Sequence, residues 1–217
     1  MTTKQIDPAP RVDNQDPALF GQTPSQTVGP FFHYGLPWKG CADLVGDADM
    51  GARVELFPEE HYVLNTPSLK GEVLGEIITL EGLVTDAAGQ PTPDVMIEIW
   101  QADAAGRYAE GSSNTGFIGF GRASTGEDGV YRFRTVRPGR VDAEQAPHIA
   151  VGVFGRGLIK RLATRAYFDG EATNAVDPIL ALVPAERRDT LIARKAGDVW
   201  RFDIVLQGER ETVFFDI

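Results

Sequence analysis

Two alternating apolar segments separated by a turn sequence place the strongest constraint on how this chain can fold. In the first, Ile78, Leu80 and Val84 recur with the period of two that is typical of a strand with one buried face. Residues 86–91 (DAAGQP) follow, where glycine accepts a positive φ and proline cannot donate to a strand ladder. Residues 95–100 then alternate again. Residues 75–108 therefore predict two strands joined by a turn, a hairpin on which later strands pack.

The rest of the chain predicts further short strands, with one helix. The helix is expected at residues 184–193, because Pro184 opens it and acidic residues precede basic ones. A long loop rich in glycine and small polar residues is expected at residues 111–121. Many short strands with Gly/Pro turns indicate an all-β sandwich. The further strands are predicted near residues 52–57 and at residues 130–136, 147–154, 158–168, 200–206 and 211–216.

The 217 residues fit one large β domain or a β domain with an arm. We expect residues 1–20 to be a mobile tail, residues 21–74 an arm and loop region, and residues 75–217 the sandwich. Residues 22–32 lack any helical or strand period but contain aromatic anchors, which favours an extended arm. A loop that lines a binding site is the alternative, since Gly29 allows close backbone approach.

Charge and composition exclude several classes of partner. The net charge is −10, with 31 acidic against 21 basic residues, which argues against nucleic acid or an anionic membrane as partner. No apolar run approaches the roughly 20 residues of a membrane span, and the N-terminus lacks the apolar core of an export signal. The single Cys41 cannot form an internal disulfide and is expected to be a packed residue. These features predict a cytoplasmic protein.

The stretch around His148 is the place where a strand could carry metal ligands. Residues two apart on a strand share a face, so a His-x-His pair aims two imidazoles at one point. Here the second position is Ala150, and one histidine cannot hold a metal ion by itself. The other possible donors are scattered tyrosines and carboxylates without ligand spacing. The residues themselves therefore predict no metal site.

Five motifs together resemble one family. They are QTPSQTVGPFF at residues 22–32, EIWQADAAGRY at 98–108, GVYRFRTVRPG at 129–139, PHI at 147–149 and WRFDIVLQG at 200–208. In this order they are similar to the intradiol ring-cleaving dioxygenases, over most of residues 22–217. The resemblance implies a β-sandwich, and a catalytic chain in which two tyrosinates and two histidines bind ferric iron.

The resemblance also implies that this chain has lost the iron ligands. The first histidine of the family's HIH motif falls on His148, but the second falls on Ala150. One ligand tyrosine falls on Val141, and the segment expected to hold the other, residues 109–120, contains no tyrosine. His148 is then a relic that packs or hydrogen-bonds, and we expect no metal bound by this chain and no catalytic residue in it.

The resemblance implies that two different subunits have separate roles in one enzyme. A homologous β subunit would carry Fe(III), and this chain would be the α subunit that completes the substrate pocket. The assembly would cleave protocatechuate (3,4-dihydroxybenzoate) with O₂ to 3-carboxy-cis,cis-muconate. An arginine between two glycines could hold the substrate carboxylate, and the arm could wall the ring. The implied substrate-binding residues are Thr27, Gly29, Pro30, Phe31 and Arg156.

Other interpretations stay open from the sequence. Arg156 could be a surface arginine paired with an acid. The chain could be a non-catalytic β-sandwich module with Trp38, Trp100 and Trp200 as ligand platforms, although Trp100 and Trp200 lie in alternating strands and are expected in the core. An active, homo-oligomeric catechol-type dioxygenase is the third possibility, and the missing second histidine and tyrosines argue against it.

Overall fold

The computed structural model describes residues 29, 42–46, 73–109, 117 and 119–216. Strands dominate this part of the chain, and its helices are short. The strands are β1 (Ile77–Thr85), β2 (Met96–Trp100), β3 (Phe120–Ser124), β4 (Val130–Val136), β5 (His148–Phe154), β6 (Leu162–Phe168), β7 (Ile192–Ala196), β8 (Val199–Arg201) and β9 (Ile204–Val205). The helical segments are α1 (Pro178–Leu182) and the 3-10 segments Ala172–Ala175 and Ala185–Leu191. None of the helices in the described part is long and apolar enough to cross a membrane.

The strands form two halves that pack on each other. The order is β3-β2-β5-β6-β7-β8-β1-β4, and β9 pairs with β1. Pairing is antiparallel except where β1 meets β8 and β9 and where β6 meets β7. The short strand β7 joins β6 of one half to β8 of the other. The predicted all-β sandwich is confirmed.

The core lies between the halves and follows the period of two in the strands. Ile97 and Ile149 project inward from β2 and β5, and Leu80 and Phe133 project inward from β1 and β4. All four are completely buried in one cluster. Side chains of opposite parity on β2 and β5 therefore lie on the outer face of their half, where the candidate site is found.

The predicted hairpin of residues 75–108 is wrong, because β1 and β2 lie in different halves. The turn itself forms: Gly89 N donates to Asp86 O at 3.1 Å, and Asp86 N donates to Gln90 O at 3.0 Å. Only one bridge follows, between Thr85 and Pro91. Asp94 then adopts φ +58°, and the chain continues into β2, which pairs with β3 and β5. The turn residues specified that the chain reverses direction, but they did not specify which strands β2 pairs with.

The predicted helix at residues 184–193 is largely wrong. Only the 3-10 segment Ala185–Leu191 forms there, and Ile192 already begins β7. A true helical turn, α1, lies just before it and was not predicted. Pro178 occupies its first turn, and the Asp177 carboxylate accepts hydrogen bonds from Ile179 N and Leu180 N. Five residues are too few for a helical period to be visible in sequence.

The strand predicted at residues 200–206 is broken into β8 and β9. Between them Phe202 N donates to Glu81 O at 2.8 Å, and the Asp203 carboxylate accepts from Leu83 N at 2.8 Å. The alternation was right, since Trp200, Phe202 and Ile204 are all buried.

Three other strand boundaries differ from expectation. Residues 211–216 form no strand, only a bridge between Phe215 and Ala163. β6 begins at Leu162 rather than at residue 158, and β3 occupies the end of the predicted loop, from Phe120. Strands at residues 130–136 and 147–154 are confirmed within one residue.

A short piece of the predicted arm and loop region packs on the sandwich. Leu44 N donates to Arg134 O at 2.8 Å, and Arg134 N donates to Ala42 O at 2.7 Å, which extends the half beyond β4. Ala42 and Leu44 join the core. The predicted tail at residues 1–20, the strand near 52–57 and Cys41 lie outside the described residues, and the domain boundaries stay predictions.

Asp177 organises the end of the sandwich at which β5 begins. Its carboxylate is completely buried and caps α1. It also accepts a hydrogen bond from Ala146 N at 2.8 Å and one from the Tyr167 hydroxyl at 3.1 Å. One side chain thus ties together α1, the loop before β5, and β6.

Replacing Asp177 with alanine should destabilise the chain by about 3 kcal/mol or more, because a helix cap is lost and the buried Ala146 N–H and Tyr167 hydroxyl keep no acceptor. Urea unfolding followed by circular dichroism measures the change. Asp198→Ala, in the exposed turn between β7 and β8, is the matched control and should change stability by about 0.5 kcal/mol or less. Equal stability of the two variants would contradict the role of Asp177.

Tyr131→Phe should cost about 1–2 kcal/mol, because the buried Tyr131 hydroxyl donates to Phe202 O at 2.6 Å and the variant leaves that carbonyl unpaired. The same unfolding measurement applies. Tyr108→Phe is the control, since half-exposed Tyr108 has no hydroxyl hydrogen bond within the described part of the chain. A similar loss in both variants would show that the Phe202 contact contributes nothing specific.

Candidate functional site

His148 opens β5 and is buried, with 6% of its surface exposed. Its Nδ1 lies 2.9 Å from Ala146 O. Because a carbonyl oxygen only accepts, Nδ1 donates this bond and Nε2 is left as an acceptor in the neutral ring. The imidazole also packs at a tilt against Tyr167, with ring centroids 5.7 Å apart. His148 was expected to pack or to hydrogen-bond, and in the structure it does both.

The surroundings of His148 favour the neutral imidazole. Burial lowers its pKa most, and the backbone hydrogen bond to Ala146 opposes this. The nearby Arg165 guanidinium lowers the pKa further, while Asp177 and Asp142 act in the opposite direction. The ring is therefore suited to accept a hydrogen bond through Nε2.

Ala150 lies two residues further along β5, on the same face as His148. Its cross-strand neighbours are Trp100 on β2 and Arg165 on β6. Val141, the other position at which the resemblance expects a ligand, is half-buried in the loop that precedes β5. Neither the methyl group of Ala150 nor the isopropyl group of Val141 can donate to a metal ion.

Two tyrosines, Tyr131 and Tyr167, are buried and do not replace the missing ligands. Burial raises the pKa of Tyr131 well above its usual range, and burial raises the pKa of Tyr167 to about 12. Both hydroxyls already donate, to Phe202 O and to Asp177. Tyrosinate, the form that would bind ferric iron, is therefore disfavoured at both positions.

The donors that the structure places together do not fit ferric iron. His148 offers one nitrogen, and neither Ala150 nor Val141 offers a donor. In the part of the chain that the structure describes, no group of three or more His, Cys, Asp or Glu side chains is arranged to hold a metal ion.

Arg156 lies at the opposite end of β5, in the turn that follows it. Gly157 there has φ +88°, and Leu158 N donates to Gly155 O at 3.2 Å. The side chain is 64% exposed, and its Nη2 donates to the Asp94 carboxylate at 2.5 Å. Arg156 is thus a surface arginine paired with an acid, which was the alternative left open by the sequence. One Nη2 bond leaves the other guanidinium donors available.

The sequence-predicted residues do not form one site within the chain. Arg156 and His148 are separated by the length of β5, roughly 20 Å at the usual rise per residue. Gly29 is exposed, with no atom within 4 Å of where a Cβ would lie. Thr27, Pro30 and Phe31 lie outside the described residues.

Sequence reasoning missed several residues around Ala150. Trp100 was expected in the core, but it is 38% exposed and stacks on Tyr108, whereas Trp200 is buried as expected. The signal was available: Trp100 has the parity of Glu98, opposite to the buried Ile97 and Ile99. Phe120 and Arg165, by contrast, reach this face through strand pairing that no local pattern specifies.

Known proteins resemble this chain over most of its length. A dioxygenase family model matches residues 54–208. The protocatechuate 3,4-dioxygenase alpha chain of Burkholderia cepacia is 44% identical over 208 residues, covering 90% of this chain and 98% of the relative. The protocatechuate 3,4-dioxygenase beta chain of the same organism is 36% identical over 178 residues, covering 73% of this chain and 76% of the relative.

A solved structure agrees with the sequence relatives. The dioxygenase domain of a dioxygenase carbohydrate-binding protein fusion from Streptomyces sp. SirexAA-E superposes with a TM-score of 0.54 at 28% identity. The match covers 87% of this chain and 99% of that domain. The sandwich, the motifs in order and these likenesses together show that the chain belongs to the intradiol ring-cleaving dioxygenase family.

Proposed function

We propose that the chain is the α-type subunit of a protocatechuate 3,4-dioxygenase that does not itself bind iron. In this proposal a homologous β-type chain holds Fe(III), and the present chain completes its substrate pocket. The assembly cleaves protocatechuate with O₂ between the two hydroxylated carbons and yields 3-carboxy-cis,cis-muconate. We place the assembly in the cytoplasm, in keeping with the single Cys41.

The observation that carries this proposal is the pair His148 and Ala150 on one face of β5. The intradiol dioxygenase family is iron-dependent, yet the position two residues after His148 holds a methyl group. Val141 likewise offers no donor. A chain that keeps the fold of an iron enzyme without its donor set is best explained by a partner that supplies the metal, and both alpha and beta chains occur among the relatives.

The role of Arg156 in this proposal is to attract the substrate carboxylate. The guanidinium sits on a turn at the surface, where it can reach into a neighbouring chain. Its Asp94 partner occupies one nitrogen and limits the orientations of the side chain. A carboxylate approaching the remaining donors can make charge-assisted hydrogen bonds. Gly29 and Pro30 would wall the ring, with Thr27 and Phe31 beside them.

The non-catalytic ligand-binding module remains the second candidate function. The observation in its favour is the exposed stack of Trp100 on Tyr108, with ring centroids 5.7 Å apart and planes at 5°. Purification separates the two functions, because a module should act alone whereas a subunit needs its β-type partner. A homo-oligomeric catechol dioxygenase is disfavoured by Ala150 and Val141.

The primary test is iron content. The chain should purify without iron and without a visible tyrosinate-to-iron band when expressed alone. Co-expressed with a β-type chain that has His-x-His in the matching strand, it should yield a coloured, iron-containing complex that consumes protocatechuate. Iron analysis and the visible spectrum provide the measurement. A tyrosinate band from this chain alone would contradict the proposal.

Arg156→Gln in the complex should raise the KM for protocatechuate about three- to tenfold, because about 1 kcal/mol of carboxylate binding is lost at an exposed site. Iron content should not change. Arg132→Gln is the matched control, since Arg132 is also exposed and pairs with Glu81 at 2.5 Å, but on β4. Equal KM values for the Arg156 variant and the unmodified complex would remove Arg156 from the pocket.

A further inference from the structure

A groove of about 640 Å³ lies on the outer face of β1, β7, β8 and β9. Its apolar walls are the half-buried side chains of Leu83, Ile192 and Val205. Of the described residues that line the groove, none belongs to β2, β5 or β6. The groove is therefore separate from the face of the sandwich that carries His148 and Ala150.

Two arginines that line the groove face each other on neighbouring strands. Arg194 on β7 and Arg201 on β8 are directly opposite in the antiparallel pairing. Like charges directly opposite on adjacent strands destabilise a sheet. A negatively charged ligand that contacts both guanidinium groups removes this repulsion, because it is attracted to each of them.

Carboxylates of the chain occupy only part of these two guanidinium groups. Arg194 Nη2 donates to the Asp189 carboxylate. Arg201 donates from Nε to Asp203 at 3.2 Å and from Nη1 to Glu81 at 3.3 Å. Because a guanidinium has five N–H donors, further donors remain on both arginines. Asp189 and Asp203 are exposed, and ion pairs at the surface contribute little, so a ligand can compete with them.

A third arginine and a buried hydroxyl also line the groove. Arg210 is exposed in the loop after β9, and within the described residues it has neither a hydrogen bond nor an ion pair. Thr212 is buried, and its hydroxyl accepts a hydrogen bond from Val205 N at 2.9 Å. In the described part of the chain that hydroxyl donates to no acceptor, so its proton is available to a ligand.

The charge of the groove is opposite in sign to that of the whole protein. Its three arginines outnumber the two carboxylates that line it, those of Asp189 and Asp203, whereas the chain carries a net charge of −10. A concave positive surface concentrates anions, and apolar walls strengthen its electrostatic contacts by reducing the screening by water. The groove therefore favours a ligand with several negative charges.

We propose that this groove binds a small organic anion with two or more negative charges, either a phosphate ester or a polycarboxylate. The anionic groups lie between Arg194 and Arg201 and reach Arg210, and the rest of the ligand packs on Leu83 and Val205. The site uses no residue assigned to the substrate pocket and needs no iron. It therefore goes beyond the proposed function, and its failure would leave that function untouched.

The test is the binding of citrate and of glycerol 3-phosphate to the full chain at low ionic strength. Titration calorimetry should show one saturable site per chain for at least one of them, and the same ligand should raise the Tm as its concentration rises. The stronger of the two identifies a polycarboxylate or a phosphate ester as the ligand class. Absence of saturable binding by both would overturn the proposal, and so would equally strong binding of acetate.

Variants assign the contacts. Arg210→Gln should raise the Kd of the bound anion about five- to tenfold, because a charge-assisted hydrogen bond is lost, and Arg194→Gln should raise it about tenfold or more. Arg161→Gln is the matched control and should bind normally, since exposed Arg161 also has neither a hydrogen bond nor an ion pair within the described residues. Circular dichroism confirms that each variant is folded. Equal weakening by Arg210→Gln and Arg161→Gln would indicate nonspecific anion binding and overturn the site.

Discussion

The buried carboxylate of Asp177 is the constraint on which this end of the molecule depends. It accepts hydrogen bonds from α1, from Ala146 N and from the Tyr167 hydroxyl. Ala146 in turn accepts from His148, so the position of the imidazole follows from the position of one carboxylate. A buried carboxylate is tolerated only when its oxygens are saturated with donors, which couples three segments into one unit.

β5 carries at its opposite ends the two features on which the proposed function rests. At one end Ala150 leaves His148 as a single nitrogen donor on its face of the strand. At the other, Arg156 stands on an exposed turn and pairs with Asp94. A strand is extended and does not bring its ends together, so the two ends cannot form one site within the chain.

Strand pairing explains both the errors and the omissions of the sequence interpretation. The turn at residues 86–91 formed as its residues require, yet the chain then passes through Asp94, with φ +58°, into a strand of the other half. Phe120, Trp100 and Arg165 are separated widely in sequence and meet only because β3, β2, β5 and β6 are neighbours. Periodicity reports which face a residue occupies, but the identity of the neighbouring strand depends on long-range packing.

The sequence by itself determined the all-β class, most strand positions, most of the inward residues and the absence of a donor at Ala150 and Val141. These are properties of single residues and of a period of two, which are local. Only the tertiary structure decided that β1 and β2 separate, that Arg156 pairs with Asp94, and that Arg194 and Arg201 become cross-strand neighbours. Each of these depends on which distant segments become neighbours, and burial across two halves selects that arrangement.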